Sequence, residues 1–391
     1  MMFLKQIKLQ ESLYWVEFNC LRFLLILLKG LIKIQVALLI IIGILLFELI
    51  ILSHEFGHFI CAKRSGVLVH EFALGMGPKL FGFKKGETQY SLRLFPIGGY
   101  CKMEGEDEES DNPRAFGKAK VWQRMIIVAA GAIMNVLLGL ILMCILVIQQ
   151  PYYASTTIES FHENSRSQTQ GLKVGDTIIS IDGYTINTDK DFSYSLATMK
   201  TTAPTIQVRR DGEIVDLGNV QFDTTTDSTG RTYIALDFYV VPIERDFFSV
   251  ISQTFKQTYS VVRMIWGSLI GLVTGQFTMN DVSGPIGAAS AISEATSMGL
   301  ETSFVDGLNN LLFMMMVISV NLGIFNMLPV PALDGGRFFF LLIEAIRRKP
   351  IPAKYEGLVH SIGFIILILF MILVSLKDII RLFTGSGFGV G

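Results

Sequence analysis

Charged side chains are scarce in this 391-residue chain: Lys, Arg, Asp and Glu make up 17% of it, whereas a soluble chain carries ~25%. That excludes an ordinary solvated surface for a chain this long. Only four cysteines occur (Cys20, Cys61, Cys101, Cys144), with no C-x-x-C pair, so neither a disulfide framework nor a thiolate metal cluster is expected. The net charge of −1 lacks the basic excess of a nucleic-acid binder, so no nucleic-acid partner is expected. No segment combines a short apolar run with a small-residue cleavage site, so no cleavable signal peptide is expected. What the chain does have is apolar sequence in long blocks, 51% hydrophobic residues and a mean hydropathy of +0.49. It reads as an integral membrane protein.

Four blocks reach the ~20 predominantly apolar residues that a membrane span requires. They lie near 35–60, 122–148, 308–346 and 356–380. The third contains "NLGIFNMLPVPALDGGR", in which Pro329, Pro331, Gly335 and Gly336 break an apolar run. A broken helix at membrane depth is tolerated only against protein or a wet cavity, so the break marks a candidate site. Residues 1–33 form an N-terminal extension; Arg22, Lys29 and Lys33 interrupt its apolar part, which favours an interfacial helix over a fifth span.

The spans group into two halves of a membrane core, 34–150 and 301–391. Within the first, residues 61–121 are β-like and glycine-punctuated, and include the acidic run Glu104, Glu106, Asp107, Glu108 and Glu109, read as a solvated loop. Residues 155–242 form a small inserted domain with short β-branched runs, a D-G hairpin turn in "TIQVRRDGEIV" and one helix, "DKDFSYSLATM". Residues 243–300 are an amphipathic, membrane-surface region, with Phe247, Ile251, Phe255, Val262, Ile265, Trp266 and Leu269 at helical spacing. Basic residues crowd 61–121 and the turn at 347–354, which places both on the cytoplasmic side and the 155–242 domain outside.

The chemistry is concentrated in "LSHEFGHFI" at 52–60, inside the first span. His54 and His58, four residues apart, project from one face of a helix, while Glu55 is rotated about 100° from His54. In H-E-x-x-H the two neutral imidazoles hold Zn²⁺ and the carboxylate takes a proton from the attacking water. A pair of solvated histidines is the alternative, and an apolar helix offers no solvent for it. His70, His162 and His360 stand alone and are given no role. A catalytic zinc takes three protein ligands, and Asp334 beside the proline break is the remaining polar group at comparable depth. Asp334 could instead be a helix N-cap; two histidines in need of a third ligand favour ligation. Glu48, seven residues before Glu55, is either a structural carboxyl or part of a proton path, and the structural reading is preferred.

Together these stretches resemble the bacterial site-2 proteases, the intramembrane zinc metalloproteases. The resemblance spans about 36–380 and rests on "HEFGH" at 54–58, "GMGPKL" at 75–80, "PIGGYCKMEGEDEE" at 96–109, "AAGAIMNVLLG" at 129–139, "NMLPVPALDGGR" at 326–337 and a PDZ-like core, "GLKVGDTIISIDG", at 171–183. It implies an α-helical integral membrane protein of about four transmembrane helices, with a membrane-associated β element and an inserted α+β PDZ-like domain. It further implies His54, His58 and Asp334 as Zn²⁺ ligands and Glu55 as general base. Asn326, Gly98 and Gly99 are implied at the substrate. Asn135, in the G-x-x-x-N-x-x-x-G pattern of Gly131 and Gly139, falls on a small-residue packing face. Substrates would be single-span membrane proteins, anti-sigma factors or signal-peptide remnants among them, cut within the bilayer of the bacterial cytoplasmic membrane. A peptide groove is expected between "DTIISID" and the helix at 189–199. A zinc transporter or a membrane scaffold could share parts of this set, but the first needs no general base and the second no ligand triad.

Overall fold

The computed structural model describes residues 2–384 apart from 107, 200, 227–231, 350 and 352, and side chains from residue 33 onward apart from 97, 225, 226, 232, 233, 235, 353 and 354. Asp107, part of the acidic run, lies outside the described residues.

Helix α1 (Met2–Arg64) carries the first apolar block, and the backbone of the N-terminal extension continues it without a break. A long strand pair follows, β1 (Val69–Lys85) and β2 (Thr88–Met103), then α2 (Val121–Gln149). Next come β3 (Tyr152–Phe161), α3 (Arg166–Thr169), β4 (Thr177–Ile181), β5 (Tyr184–Thr185) and α4 (Asp189–Thr198). The inserted domain closes with β6 (Thr205–Arg210), β7 (Glu213–Asn219), β8 (Asp223–Thr226), β9 (Thr232–Ala235) and β10 (Phe238–Glu244). The rest is helical: α5 (Phe247–Val273), α6 (Pro285–Thr302), α7 (Phe304–Asn326), α8 (Asp334–Arg347) and α9 (Ala353–Thr384).

Among the described residues, four helices are long and apolar enough to cross a membrane, at Lys33–Arg64, Val121–Gln149, Phe304–Asn326 and Tyr355–Thr384. The third is shorter than its apolar block. α7 stops at Asn326, and α8 begins only after the proline-bearing turn 327–333. Pro329 and Pro331 lack the amide hydrogens that would continue the helical ladder. The bundle interior joins Ile50 of α1, Met143 and Val147 of α2, Val261 of α5 and Met316 and Val320 of α7.

β1 and β2 make more than a simple hairpin. Residues 71–74 of β1 pair with 99–102 of β2 on one side and with 89–92 on the other, while 81–85 pair back onto 88–92. Two continuous strands therefore act as four short ones, and Gly99–Met103 forms an outer row. The sheet is tied to the bundle end by Glu87, which takes hydrogen bonds from Arg114 (2.6 and 2.8 Å) and Lys63 (2.6 Å). Those cations hold the Glu87 carboxyl at about 2. The contribution of this tether is full above the ordinary carboxylate range and is lost as pH falls towards that value.

The inserted domain is an antiparallel sheet in the order β10-β3-β4-β6-β7, with β5 on β4, around Ile158, Ile178, Ile181, Ile206 and Phe222. The expected groove is not at "DTIISID". β4 pairs with β6 on one side and with β3 and β5 on the other, so it has no open edge for an added strand. α4 docks instead on α5: Ser260 donates to Asp191 (2.7 Å) and Thr188 donates to Ser260 (3.0 Å). In the mostly exposed polar loop before Gly171, Ser165 and Ser167 turn inward, are buried and donate to Asp237. α5 buries Val261 and Ile265 with Gln253, Thr254, Gln257 and Thr258, and leaves Phe247, Phe248, Phe255 and Trp266 exposed.

Candidate metal centre

His54, Glu55 and His58 sit on adjoining faces of α1 where it meets α2. The two helices approach closely because Gly57 is backbone only; a Cβ there would lie 2.3 Å from the carbonyl oxygen of Ala130. One face of α2 then meets both imidazoles. The carbonyl of Ile127 accepts from His58 Nδ1 (2.8 Å), and the Asn135 amide lies 3.3 Å from His54 Nδ1. Midway, Gly131 makes the space that the site occupies: a Cβ there would lie 2.5 Å from His58 Nε2 and 2.7 Å from His54 Cε1.

The third group arrives from the proline turn. Asp334 Oδ2 lies 3.1 Å from His54 Nε2 and 3.3 Å from His58 Nε2, and the two nitrogens are 3.2 Å apart. Asp334 is not an N-cap. Leu333 holds that position without a side-chain cap, and buried Oδ2 makes no hydrogen bond of its own. Gly335 lets the turn fold this tightly, since a Cβ there would lie 2.1 Å from the Leu328 carbonyl oxygen. A second tether is Arg124 of α2, which donates to Glu344 of α8 at 2.6 Å.

Three donors thus converge, with every ligand atom within 4.8 Å of the others. Two imidazole nitrogens and one carboxylate oxygen are a zinc donor set, and burying them together is costly unless they share a cation. The residues fit a zinc ion. Gly131→Ala puts a methyl group where the imidazoles converge, so that variant is expected to lose bound zinc and activity together while the chain still inserts and folds. Metal analysis of the purified variant checks this.

The centre opens into a cavity of about 1410 Å³, walled by Glu55, Tyr100–Met103 of β2, Glu104, Glu106 and Glu108 of the acidic run, Arg337, and Phe364 and Ile365 of α9. Gly99 brings β2 onto α1, where a Cβ would lie 3.4 Å from Glu55 Cγ. Gly98 (φ +100°) sits one residue earlier, against Met76. Asn326, the last residue of α7, points its amide at His54 Nε2 from 3.4 Å. His54, Glu55, His58, Asp334, Asn326 and Gly99 therefore lie close together, with Gly98 beside Gly99 on β2.

Several residues given little weight in the sequence prove engaged. His360 of α9 lines the cavity, and its Nδ1 accepts from Ala332 N–H (3.0 Å), two residues before Asp334. Ala332 has φ +78°, a left-handed conformation that alanine adopts only when its surroundings hold it there. His360 is one such hold. No spacing signal could have found it, because the partner is 28 residues away in the proline turn. His70 is likewise not alone: it bonds Glu104 at 2.5 Å. The acidic run is only partly solvated, because Glu104 also takes a short bond from Ser110 and Glu106 pairs with Arg337 of α8 at 2.5 Å. His70 and Ser110 hold the Glu104 carboxyl below its ordinary range. Glu48 is buried beside Gly75 and does not line the metal cavity.

Comparison with known proteins agrees with this geometry. Residues 42–370 match the pattern described as Peptidase family M50. The chain is 39% identical over 342 residues to a provisionally described zinc metalloprotease of Clostridium perfringens, covering 87% of this chain and 98% of that one. It is 31% identical over 422 aligned residues to the regulator of sigma-W protease RasP of Bacillus subtilis, covering 87% and 98% respectively. The zinc metalloprotease RasP of Geobacillus kaustophilus is 30% identical over 420 residues, covering 87% and 97%.

Proposed function

Since the chain belongs to peptidase family M50 and is a zinc metalloprotease, we propose that it hydrolyses peptide bonds within the transmembrane helices of single-span proteins. The observation that carries this reading is the position of the metal centre. His54, His58 and Asp334 converge between helices long and apolar enough to cross a membrane, beside a polar-walled cavity that can admit water.

In this reading His54, His58 and Asp334 hold Zn²⁺, which when bound supplies Lewis-acid polarisation of the scissile carbonyl. Glu55 takes the proton of the attacking water and returns it to the leaving amine. Asn326 and the backbone at Gly98 and Gly99 hold the substrate chain. A helical peptide bond is shielded by its own hydrogen bonding, so the substrate must unwind locally. The outer row Gly99–Met103 lies along the cavity wall, where an unwound segment can add as a further strand.

The basic residues of 61–121 and 347–354 favour a cytoplasmic cavity end and an extracytoplasmic 155–242 domain. Residues 1–33 are then an interfacial extension. That the Bacillus subtilis relative is named as a regulator of sigma-W protease favours anti-sigma factors as substrates, alongside signal-peptide remnants. The outer domain, PDZ-like in its "GLKVGDTIISIDG" core, acts as a gate against bulky outer domains. The interior position of β4 and its docking through α4 on α5 support that role over peptide docking at β4.

The test is cleavage by the purified chain in vesicles, using a single-span reporter with and without a folded outer domain and mapping the cut by mass spectrometry. A cut inside the apolar segment of the trimmed reporter is expected. Cuts only in the flanks would contradict intramembrane cleavage. Replacing 155–242 with a short flexible linker should let the untrimmed reporter be cut as well. If that protein folds, binds zinc and still rejects the untrimmed reporter, the gate is wrong.

A further inference from the structure

Asn135 falls outside the ligand set, yet it is fully buried and faces it. Ile127, Gly131 and Asn135 are spaced four residues apart, so they form one stripe along α2. That stripe runs beside His54 and His58, themselves four residues apart on α1. Ile127 serves His58 through its carbonyl, which fixes the proton on Nδ1 and leaves the Nε2 lone pair facing His54 and Asp334. His54 needs the same service, and no backbone carbonyl is recorded at its Nδ1 among the described residues; what lies there is the Asn135 carboxamide at 3.3 Å.

The two ends of a carboxamide have the same shape, and hydrogen bonding decides which faces a partner. With Nδ2 towards His54, a neutral ring must carry its proton on Nε2, the atom aimed at Asp334, and Nε2 then has no lone pair for a metal. Asn135 Oδ1 is meanwhile buried without a hydrogen-bond partner. With Oδ1 towards His54, Nδ1–H donates to it and Nε2 is freed as a ligand. A mere helix-packing role would leave the side chain indifferent to His54. The backbone carbonyl of Asn135 separately accepts from Ser319 of α7 at 2.7 Å.

We propose that Asn135 is a positioning residue of the metal centre: its carboxamide oxygen accepts from His54 Nδ1–H and so sets the tautomer and orientation that turn Nε2 towards His58 and Asp334. The inference rests on the metal-site reading above. Histidine ligands generally depend on such partners, and losing one costs roughly 10–100-fold in metal affinity.

The test uses the full purified chain in detergent, freed of metal and titrated with Co²⁺, with the visible absorption of the ion as readout. Asn135→Leu, which removes the acceptor at similar size, is expected to bind Co²⁺ roughly 10–100-fold more weakly. Asn135→Asp, which can only accept, is expected to keep wild-type affinity or exceed it. Wild-type affinity in Asn135→Leu overturns the proposal, as does a folded Asn135→Asp protein that binds as weakly as Asn135→Leu. Should Asn135→Leu fail to fold, Asn135→Asp decides alone: retained affinity supports the proposal and lost affinity in folded protein overturns it. His54→Ala separates the two readings. If His54→Ala binds Co²⁺ as tightly as wild type, the metal-site reading has failed rather than the role of Asn135.

Discussion

Glu55→Gln is expected to keep one zinc ion per chain and to cut substrate roughly 10²–10⁴-fold more slowly. Glu55 follows His54 directly, so it faces about 100° away from the direction of the ligand pair. It stands at the cavity wall, outside the converging trio, with β2 packed against it at Gly99. From there a carboxylate can reach a water beside the metal centre without displacing a ligand. Glutamine keeps the size and polarity but cannot take up the proton, so chemistry is lost while metal is not. Zinc analysis alongside single-turnover cleavage checks both halves. Near-normal turnover would remove Glu55 from the mechanism, and loss of zinc would make it a ligand.

Asp334→Ala is expected to fail differently, losing metal and activity together. Its Oδ2 lies 3.1 and 3.3 Å from the two imidazoles and makes no hydrogen bond to the start of α8. Were Asp334 an N-cap, the substitution would cost about 0.5–2 kcal/mol of stability and leave zinc bound. Stoichiometric zinc in the purified variant, at wild-type retention through dialysis, would rule out ligation.

The features legible in the sequence are those set by local periodicity. H-E-x-x-H places two imidazoles on one helical face wherever α1 goes, and apolar length marks the helices able to cross a membrane before any packing is known. The proline break was legible too, since missing amide hydrogens end a helix in any context. What escaped depends on contacts between distant segments. His360 reaches Ala332 only because α9 passes beside the proline turn, and Asn135 reaches His54 only because Gly57 lets α1 and α2 touch. The groove expected at "DTIISID" failed for the same reason: alternation identifies a strand, but whether its edges are free is decided by β3, β5 and β6. The acidic run misled through composition. Glutamates in a polar loop read as solvated, yet Glu104 and Glu106 have cationic or polar partners on β1 and α8.

The assignment of His54, His58 and Asp334 as joint zinc ligands is open to test by zinc K-edge X-ray absorption on the purified wild-type chain and on Asp334→Ala. In the wild type, two imidazole nitrogens are expected at about 2.0–2.1 Å and a carboxylate oxygen at about 2.0–2.2 Å. No sulfur is expected, although Cys101 lines the same cavity. In Asp334→Ala the carboxylate contribution should vanish, with zinc depleted. A sulfur scatterer at about 2.3 Å, or an identical and fully occupied shell in Asp334→Ala, would contradict it.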